Sequence, residues 1–333
     1  MIGSTANARR PVADTRPSHG ASGVDRHSPL PARRAFLVGC PRSGTTFLQG
    51  ALSSHPQILS IPETAFFERA LPGRVSHLVD GFEHLAAVRQ LQRGREYLRV
   101  QRRARRALRG LARELGAPVG VPRLHLGLAG YVGEFAGMLD AAARACGCNA
   151  WLEKTPYHVF YLDVIERHVP QARFIHLLRR GEDVVASAIE ASMRYAGFGD
   201  GRVFSKGIPW WVACWNAAVA AHKQYAGLDN HCIVFYEDLV RDFSGEYARL
   251  CEFIGVEPVR ARLDAAKHIA RLDNEPWKRE ALSGRLVPAT PKFESLFGPE
   301  TRSWIREQLC PYDEVRALLG VRVDRTDRAR DVC

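Results

Sequence analysis

Apolar residues along this chain fall into two rhythms. Short, largely apolar runs at residues 35–38, 151–153, 173–178 and 232–235 have the length and β-branched or aromatic content of buried strands. Between them lie longer stretches in which apolar positions recur every three or four residues, the spacing of a helix with one buried side. Residues 45–54 form such a helix, burying Phe47, Leu48, Ala51 and Leu52, and HPQI after it turns the chain into a short strand that exits through IPETAFFERA. Pro156 is placed to start a helix reaching about residue 168. Another begins at Gly181, with Glu182 and Asp183 in its first turn, where the helix dipole favours acids. A tryptophan-bearing helix over 203–225, helices at 244–254, 258–270 and 300–309, and a short one at 313–319 complete the pattern. Strands alternating with helices predict an α/β protein with a mainly parallel central sheet.

Two regions depart from that alternation. Residues 72–148 read as a helical insertion in which nine arginines fall between Arg93 and Arg113, while Tyr97, Val100, Ala104, Leu108 and Leu111 keep one face apolar. The basic faces suit either solvent or an acidic acceptor, and no aromatic residues interleave them as a single-stranded nucleic-acid platform requires. Residues 1–32, rich in Pro, Gly, Ser and Arg, predict a disordered tail, and 323–333 a charged one. One domain over 33–322 is expected between them.

The stretch with the most chemistry is AFLVGCPRSGTTFLQG, residues 35–50. A strand that empties through a glycine-bearing loop into a helix aims unpaired amides and a positive helix end at one point, which favours an anion. Gly44 lets an anion approach the backbone; Ser43, Thr45 and Thr46 add hydroxyls, and Arg42 adds a charged fork. Gly39, Gly44 and Thr46 fit the nucleotide P-loop spacing, but Thr45 stands where that pattern has lysine. The fold expectation is therefore a P-loop-like three-layer arrangement with a phosphate cradle for a donor other than ATP or GTP.

Similar junctions recur. Glu63 stands 21 residues after Arg42 at a strand exit, as a first-turn carboxylate or as a general base. Lys154 and Thr155 follow the run at 151–153. Arg179 leaves the run at 173–178, and Ser187 lies eight residues on, about two turns into the next helix. Tyr236 ends the run at 232–235.

Composition narrows the classes. With 333 residues and 46% hydrophobic content the chain buries a substantial core, and a net charge of +11 suits an anionic ligand of any kind. No apolar run reaches membrane-span length and no signal-type core opens the chain, so a cytoplasmic location is expected. The eight cysteines show no metal or disulfide spacing. No metal is expected, and no nucleic-acid partner.

PRSGTT, after its apolar strand, resembles the 5′-phosphosulfate loop of sulfotransferases that use 3′-phosphoadenosine 5′-phosphosulfate (PAPS). An arginine at a strand end with a serine eight residues on, Arg179 and Ser187, resembles the 3′-phosphate motif of the same superfamily. ETAFFE resembles the acidic segment of heparan-type glycan sulfotransferases, and EKTP the lysine motif of the glycan and tyrosyl-protein branches. The resemblance implies a donor held by Arg42, Ser43, Gly44, Thr45, Thr46, Arg179 and Ser187. It implies that Tyr236 lies near the adenine and that Arg42 and Lys154 offset charge on the bridging oxygen. It also implies that Glu63 takes a proton from an acceptor hydroxyl and that PAP leaves as product. In the cytosolic small-molecule branch a catalytic histidine follows the lysine and threonine at once; here Pro156 stands there, which favours Glu63 as base and makes His158, His55 and His176 structural. Family members often close a basic segment over the nucleotide in the region of residues 273–291, which reads here as a flexible loop; Lys278, Arg279, Arg285 and Lys292 are unranked candidates. A small-molecule kinase and a non-enzymatic polyanion binder are the alternative readings, and the acceptor stays open among glycan, tyrosine and small alcohol.

Overall fold

The computed structural model describes residues 32–79, 95–116, 122–195, 205–261, 269–270, 272–283 and 292–320. Five strands, β1 (Arg33–Val38), β2 (Ile58–Ser60), β3 (Ala150–Lys154), β4 (Ala172–Leu178) and β5 (His231–Phe235), form one sheet in the order β2-β3-β1-β4-β5. Every neighbouring pair is parallel, with Leu37 opposite Lys154 and Val38 opposite His176. The expected α/β architecture is thus present, with β1 at its centre.

Both faces of the sheet are apolar, so residues of β1 alternate between two cores. Phe36 and Val38 join one core with Trp151 and Phe174, while Ala35 and Leu37 join the other with Ile175 and Leu177. Helices α1 (Thr45–Ser53) and α2 (Phe66–Ala70) follow β1 and β2, and α3 (Arg74–Val79) comes next. The arginine-rich helix α4 (Arg95–Leu115) and α5 (Leu128–Ala145) pack on each other, and α4 also packs on α2. In α4, Ala104, Ala107, Leu108 and Leu111 are buried, whereas Arg102, Arg103, Arg106, Arg109 and Arg113 are exposed. Helices α6 (Leu162–His168), α7 (Gly181–Tyr195) and α8 (Ile208–Tyr225) accompany β3, β4 and β5. Next come α9 (Tyr236–Arg241) and α10 (Phe243–Ile254), then α11 (Lys292–Leu296), α12 (Pro299–Gln308) and α13 (Tyr312–Gly320). Leu48 and Leu52 of α1 and Leu250 and Ile254 of α10 cover one face of the sheet; α5, α7 and α8 contribute to the other core.

Several expectations change. Pro156 opens a 3-10 turn, Pro156–Tyr161, before α6 begins, because the His158 amide bonds back to the Thr155 carbonyl at 2.9 Å. The helix expected from 258 does not start there: residues 258–261 are not helical, and 262–268 lie outside the described residues. Gly255 ends α10 in the left-handed region at φ 90°, and Pro258 keeps the residue before it away from helical angles. The segment read as a flexible loop carries 3-10 turns at Pro276–Lys278 and Ala281–Ser283, with Lys278 buried. Residues 1–31 and 321–333 lie outside the described residues, as does Arg285, while Ala32, expected in the N-terminal tail, is buried in the core.

Candidate active site

At β1 the chain connections diverge, with β3 on one side and β4 on the other, and in open parallel sheets ligands bind in the crevice beyond the strand ends at such a point. Here that crevice is the loop from Gly39 to Gly44. Gly39 is dictated by packing, since a Cβ there would lie 2.4 Å from the Leu177 carbonyl oxygen. Gly44 is dictated twice over: its φ is 98°, and a Cβ would meet the Tyr236 ring at 2.6 Å. Arg42 takes φ 77°, a left-handed conformation that costs a non-glycine residue about 1–3 kcal/mol. The loop closes through the Ser43 amide to the Cys40 carbonyl at 3.2 Å, and α1 begins with no side-chain cap. The first amides of α1 therefore point outward as uncommitted donors.

A single cleft is lined by Arg42, Gly44, Thr45 and Thr46 from the loop and by Arg179, Asp183 and Ser187 from the next junction. Arg42 donates from Nε to Ser187 Oγ at 3.2 Å, joining two motifs 145 residues apart in sequence. Burial, and then repulsion from the Arg179 guanidinium, lower the Arg42 pKa from its ordinary value. Arg179 lies over the Tyr236 ring at 4.5 Å, and its carbonyl accepts from Trp215 Nε1 at 3.0 Å, which fixes where the side chain departs. Asp183 Oδ2 stands 3.8 Å from Arg179 Nε, beyond hydrogen-bond range, so that buried Nε has no hydrogen-bond acceptor among the described residues. Ser43 Oγ is likewise buried without a partner among them. Two half-buried guanidiniums and a row of helix-start amides, beside the carboxylate of Asp183, make a donor set that suits an anion.

The reacting end lies where β2 and β3 finish. Lys154 is buried; it hydrogen-bonds Thr46 Oγ1 at 3.3 Å and ion-pairs closely with Glu63 Oε1. Lys278, from the 3-10 turn, reaches the same Glu63 oxygen at 2.8 Å and Glu275 at 2.5 Å. Burial alone would raise the Glu63 pKa, but the two lysines outweigh it and hold the carboxyl down at about 2. Burial is the largest influence on Lys154 and lowers its pKa, against the pull of Glu63. Glu153 supports this corner from beneath, accepting from the hydroxyls of Thr64 at 2.8 Å and Thr155 at 2.7 Å and pairing with His158 Nδ1 at 2.9 Å. Thr155 Oγ1 in turn accepts from the Ala65 amide at 3.1 Å, tying the Glu63 segment to the end of β3.

The structure brings together Arg42, Gly44, Thr45, Thr46, Arg179 and Ser187 at one cleft, while Ser43 is buried in the loop and does not line it; Lys154 touches Thr46, and Glu63 pairs with Lys154 and with the cleft residue Lys278. Tyr236, expected beside the adenine, is buried against Gly44 and under Arg179. His158, His55 and His176 are buried; His55 bonds the Glu257 carbonyl at 2.8 Å, and His176 bonds His222 and His231, each at 2.8 Å. Of the unranked basic residues, Lys278 reaches the site, Lys292 lines the cleft while paired with Glu190 at 2.7 Å, and Arg279 is exposed. Sequence reasoning did not single out Glu153, Trp277, which also lines the cleft, or Lys278 as a partner of Glu63; Glu153 sits inside the EKTP string, the one signal available for it.

Residues 34–260 match the family model described as "Sulfotransferase family", and the chain belongs to that family. Among curated relatives, it is 25% identical over 238 residues to protein-tyrosine sulfotransferase A of Caenorhabditis elegans, covering 70% of this chain and 52% of that protein. It is 23% identical over 224 residues to a Caenorhabditis briggsae protein described as a protein-tyrosine sulfotransferase, covering 67% of this chain and 65% of the relative. The chain thus matches only about half to two thirds of these relatives' length. Among solved structures, the sulfotransferase domain of the Synechococcus PCC 7002 olefin synthase shares the fold, with a TM-score of 0.50 and 22% identity over 83% of this chain and 94% of that one.

Proposed function

We propose that this chain transfers a sulfuryl group from PAPS to an acceptor hydroxyl. Family membership supports the reaction class, and one observation carries the donor: Arg42 and Arg179, both drawn into one cleft and repelling each other, with Ser187 bonded between the two motifs. Like charges held side by side and half-buried are relieved by an anion that neutralises both. A nucleotide with phosphate groups at both its 5′ and 3′ positions does so. The amides and hydroxyls of residues 42–46 hold the 5′-phosphosulfate, and Arg179 with Ser187 holds the 3′-phosphate. Tyr236 supports Arg179 from below.

In the transfer, the acceptor oxygen forms a bond to sulfur as the bond from sulfur to the bridging oxygen breaks, and PAP departs. Arg42 and Lys154 offset charge growing on the bridging oxygen. The acceptor proton passes to Glu63, a step worth about 10²–10⁴ in rate. Lysine pairing keeps Glu63 ionised across the physiological range. Calorimetry tests the donor: binding of adenosine 3′,5′-bisphosphate without Mg²⁺ and tighter than ATP–Mg²⁺ is expected, and the reverse order overturns the reading in favour of a kinase. Transfer of labelled sulfate to a panel of sugars, tyrosine peptides and alcohols tests the reaction. Glu63→Gln is expected to abolish that transfer while leaving adenosine 3′,5′-bisphosphate affinity near normal.

A further inference from the structure

The segment that carries Glu63 passes from β2 into α2 through a residue in a backbone conformation that few side chains adopt. Ala65, the residue before α2, takes φ 46° and ψ 32°, the left-handed region, with a Cβ to clash there. Such a conformation persists only where its surroundings over-determine it. One buried carboxylate does this. Glu153, the residue before Lys154 on β3, is 1% exposed, and its Oε1 accepts from the Thr64 amide at 3.3 Å, the Thr64 hydroxyl at 2.8 Å and the Thr155 hydroxyl at 2.7 Å. His158 Nδ1 meets the other oxygen at 2.9 Å. With their protons committed to Glu153, the two hydroxyls turn lone pairs outward: Thr155 Oγ1 accepts from the Ala65 amide at 3.1 Å and Thr64 Oγ1 from the Phe66 amide at 3.2 Å. The three amides that follow Glu63 are thus held by Glu153, directly or through one hydroxyl.

We propose that Glu153 is a positioning residue for Glu63. By orienting two hydroxyls it keeps Ala65 left-handed, and the fixed backbone beside Ala65 sets where the Glu63 carboxylate meets Lys154. The inference rests on the assignment of Glu63 as base above. Adjacent residues of β3 then divide the work: Lys154 pairs with the Glu63 side chain, while Glu153 holds the backbone that delivers it. Glu153 is not among the described residues that line the donor cleft, so its removal misaims the base without loosening the nucleotide. Misplacing a reacting group by about 1 Å costs about 10²-fold in rate.

Glu153→Met, in the full chain, replaces the acceptor oxygens by an apolar side chain of similar length. Transfer from labelled PAPS to whichever member of the sugar, peptide and alcohol panel accepts it reads the effect. The kcat is expected to fall about 100-fold, while Kd for adenosine 3′,5′-bisphosphate and KM for PAPS change less than about twofold. Glu153→Gln retains kcat within about tenfold, since its carbonyl oxygen accepts from the same three donors and its amide donates to neutral His158. Ala65→Gly leaves the parent rate unchanged but recovers about tenfold in the Glu153→Met background, because glycine holds the left-handed conformation without the tie. A carboxylate that only stabilises the fold predicts no such recovery. Should Glu153→Met not fold, Thr155→Val, which removes only the hydroxyl at the Ala65 amide, carries the same rescue test. An unchanged kcat in folded Glu153→Met, a loss that Ala65→Gly does not reverse, or equal losses of nucleotide affinity and kcat overturn the inference. Glu63→Gln separates the two levels. Full activity in that variant overturns the base assignment itself, whereas an inactive Glu63→Gln beside a fully active Glu153→Met overturns only the role of Glu153.

Discussion

Replacing Arg179 with alanine removes the one cation of the cleft that has no hydrogen-bond acceptor for its buried Nε among the described residues. Its side chain is 15% exposed, so a phosphate bound there is largely shielded from water, and hydrogen bonds to charged groups in such settings contribute about 1.5–3 kcal/mol. That range corresponds to about a 10- to 150-fold rise in Kd for adenosine 3′,5′-bisphosphate. AMP, which lacks the 3′-phosphate, is expected to lose less than about threefold, and the ratio of the two affinities collapses. Thermal stability is expected to fall modestly, because Asp183 loses its nearest cation and Tyr236 its stack, against the relief of the repulsion that Arg179 exerts on Arg42. Isothermal titration with both nucleotides at fixed salt reads the ratio directly, and salt must be held constant because both ligands are anions. Equal losses for AMP and the bisphosphate would refute the reasoning, since Arg179 would then be acting on the adenosine or on the 5′ end.

Other outcomes follow from local geometry and charge. Gly44→Ala places a Cβ 2.6 Å from the Tyr236 ring at φ 98°, so both a drop in melting temperature and loss of nucleotide binding are expected by differential scanning fluorimetry with and without adenosine 3′,5′-bisphosphate. The buried chain of His176, His222 and His231 sets an acid limit on stability. Burial lowers all three, to about 3 for His222 and well below the ordinary value for His176, where the other two histidines add to the effect. These imidazoles bind fewer protons folded than unfolded below about pH 6.5, so stability is complete above that pH and falls as pH drops toward the folded values. For His222 alone the loss by pH 5 is about 2 kcal/mol. Urea midpoints between pH 7 and pH 5 measure it, and a flat profile would show that the three are not kept neutral.

Much of this molecule could be read along the chain. The largely apolar runs at 35–38, 151–153, 173–178 and 232–235 became strands because their length and hydrophobicity admit little else, and the loop at residues 39–44, singled out by its glycines, Arg42 and the neighbouring hydroxyls, contributes Arg42 and Gly44 to the cleft. The short range of those signals is also their limit. Neither that Arg42 and Ser187 would share a hydrogen bond, nor that Lys154 and Lys278 would converge on one oxygen of Glu63, is encoded in any window of neighbouring residues. Both contacts depend on the strand order β2-β3-β1-β4-β5, which sets the ends of β3 and β4 on either side of β1. The 3-10 segment that carries Lys278 is mostly polar and opens on Pro276, a composition that reads as surface loop; only its seating on α7 and α1 buries the lysine. Local pattern determined the elements and the cradle, while the pairing of charges from distant segments, and with it the ionisation of Glu63, was decided where packing brought those segments together and excluded water.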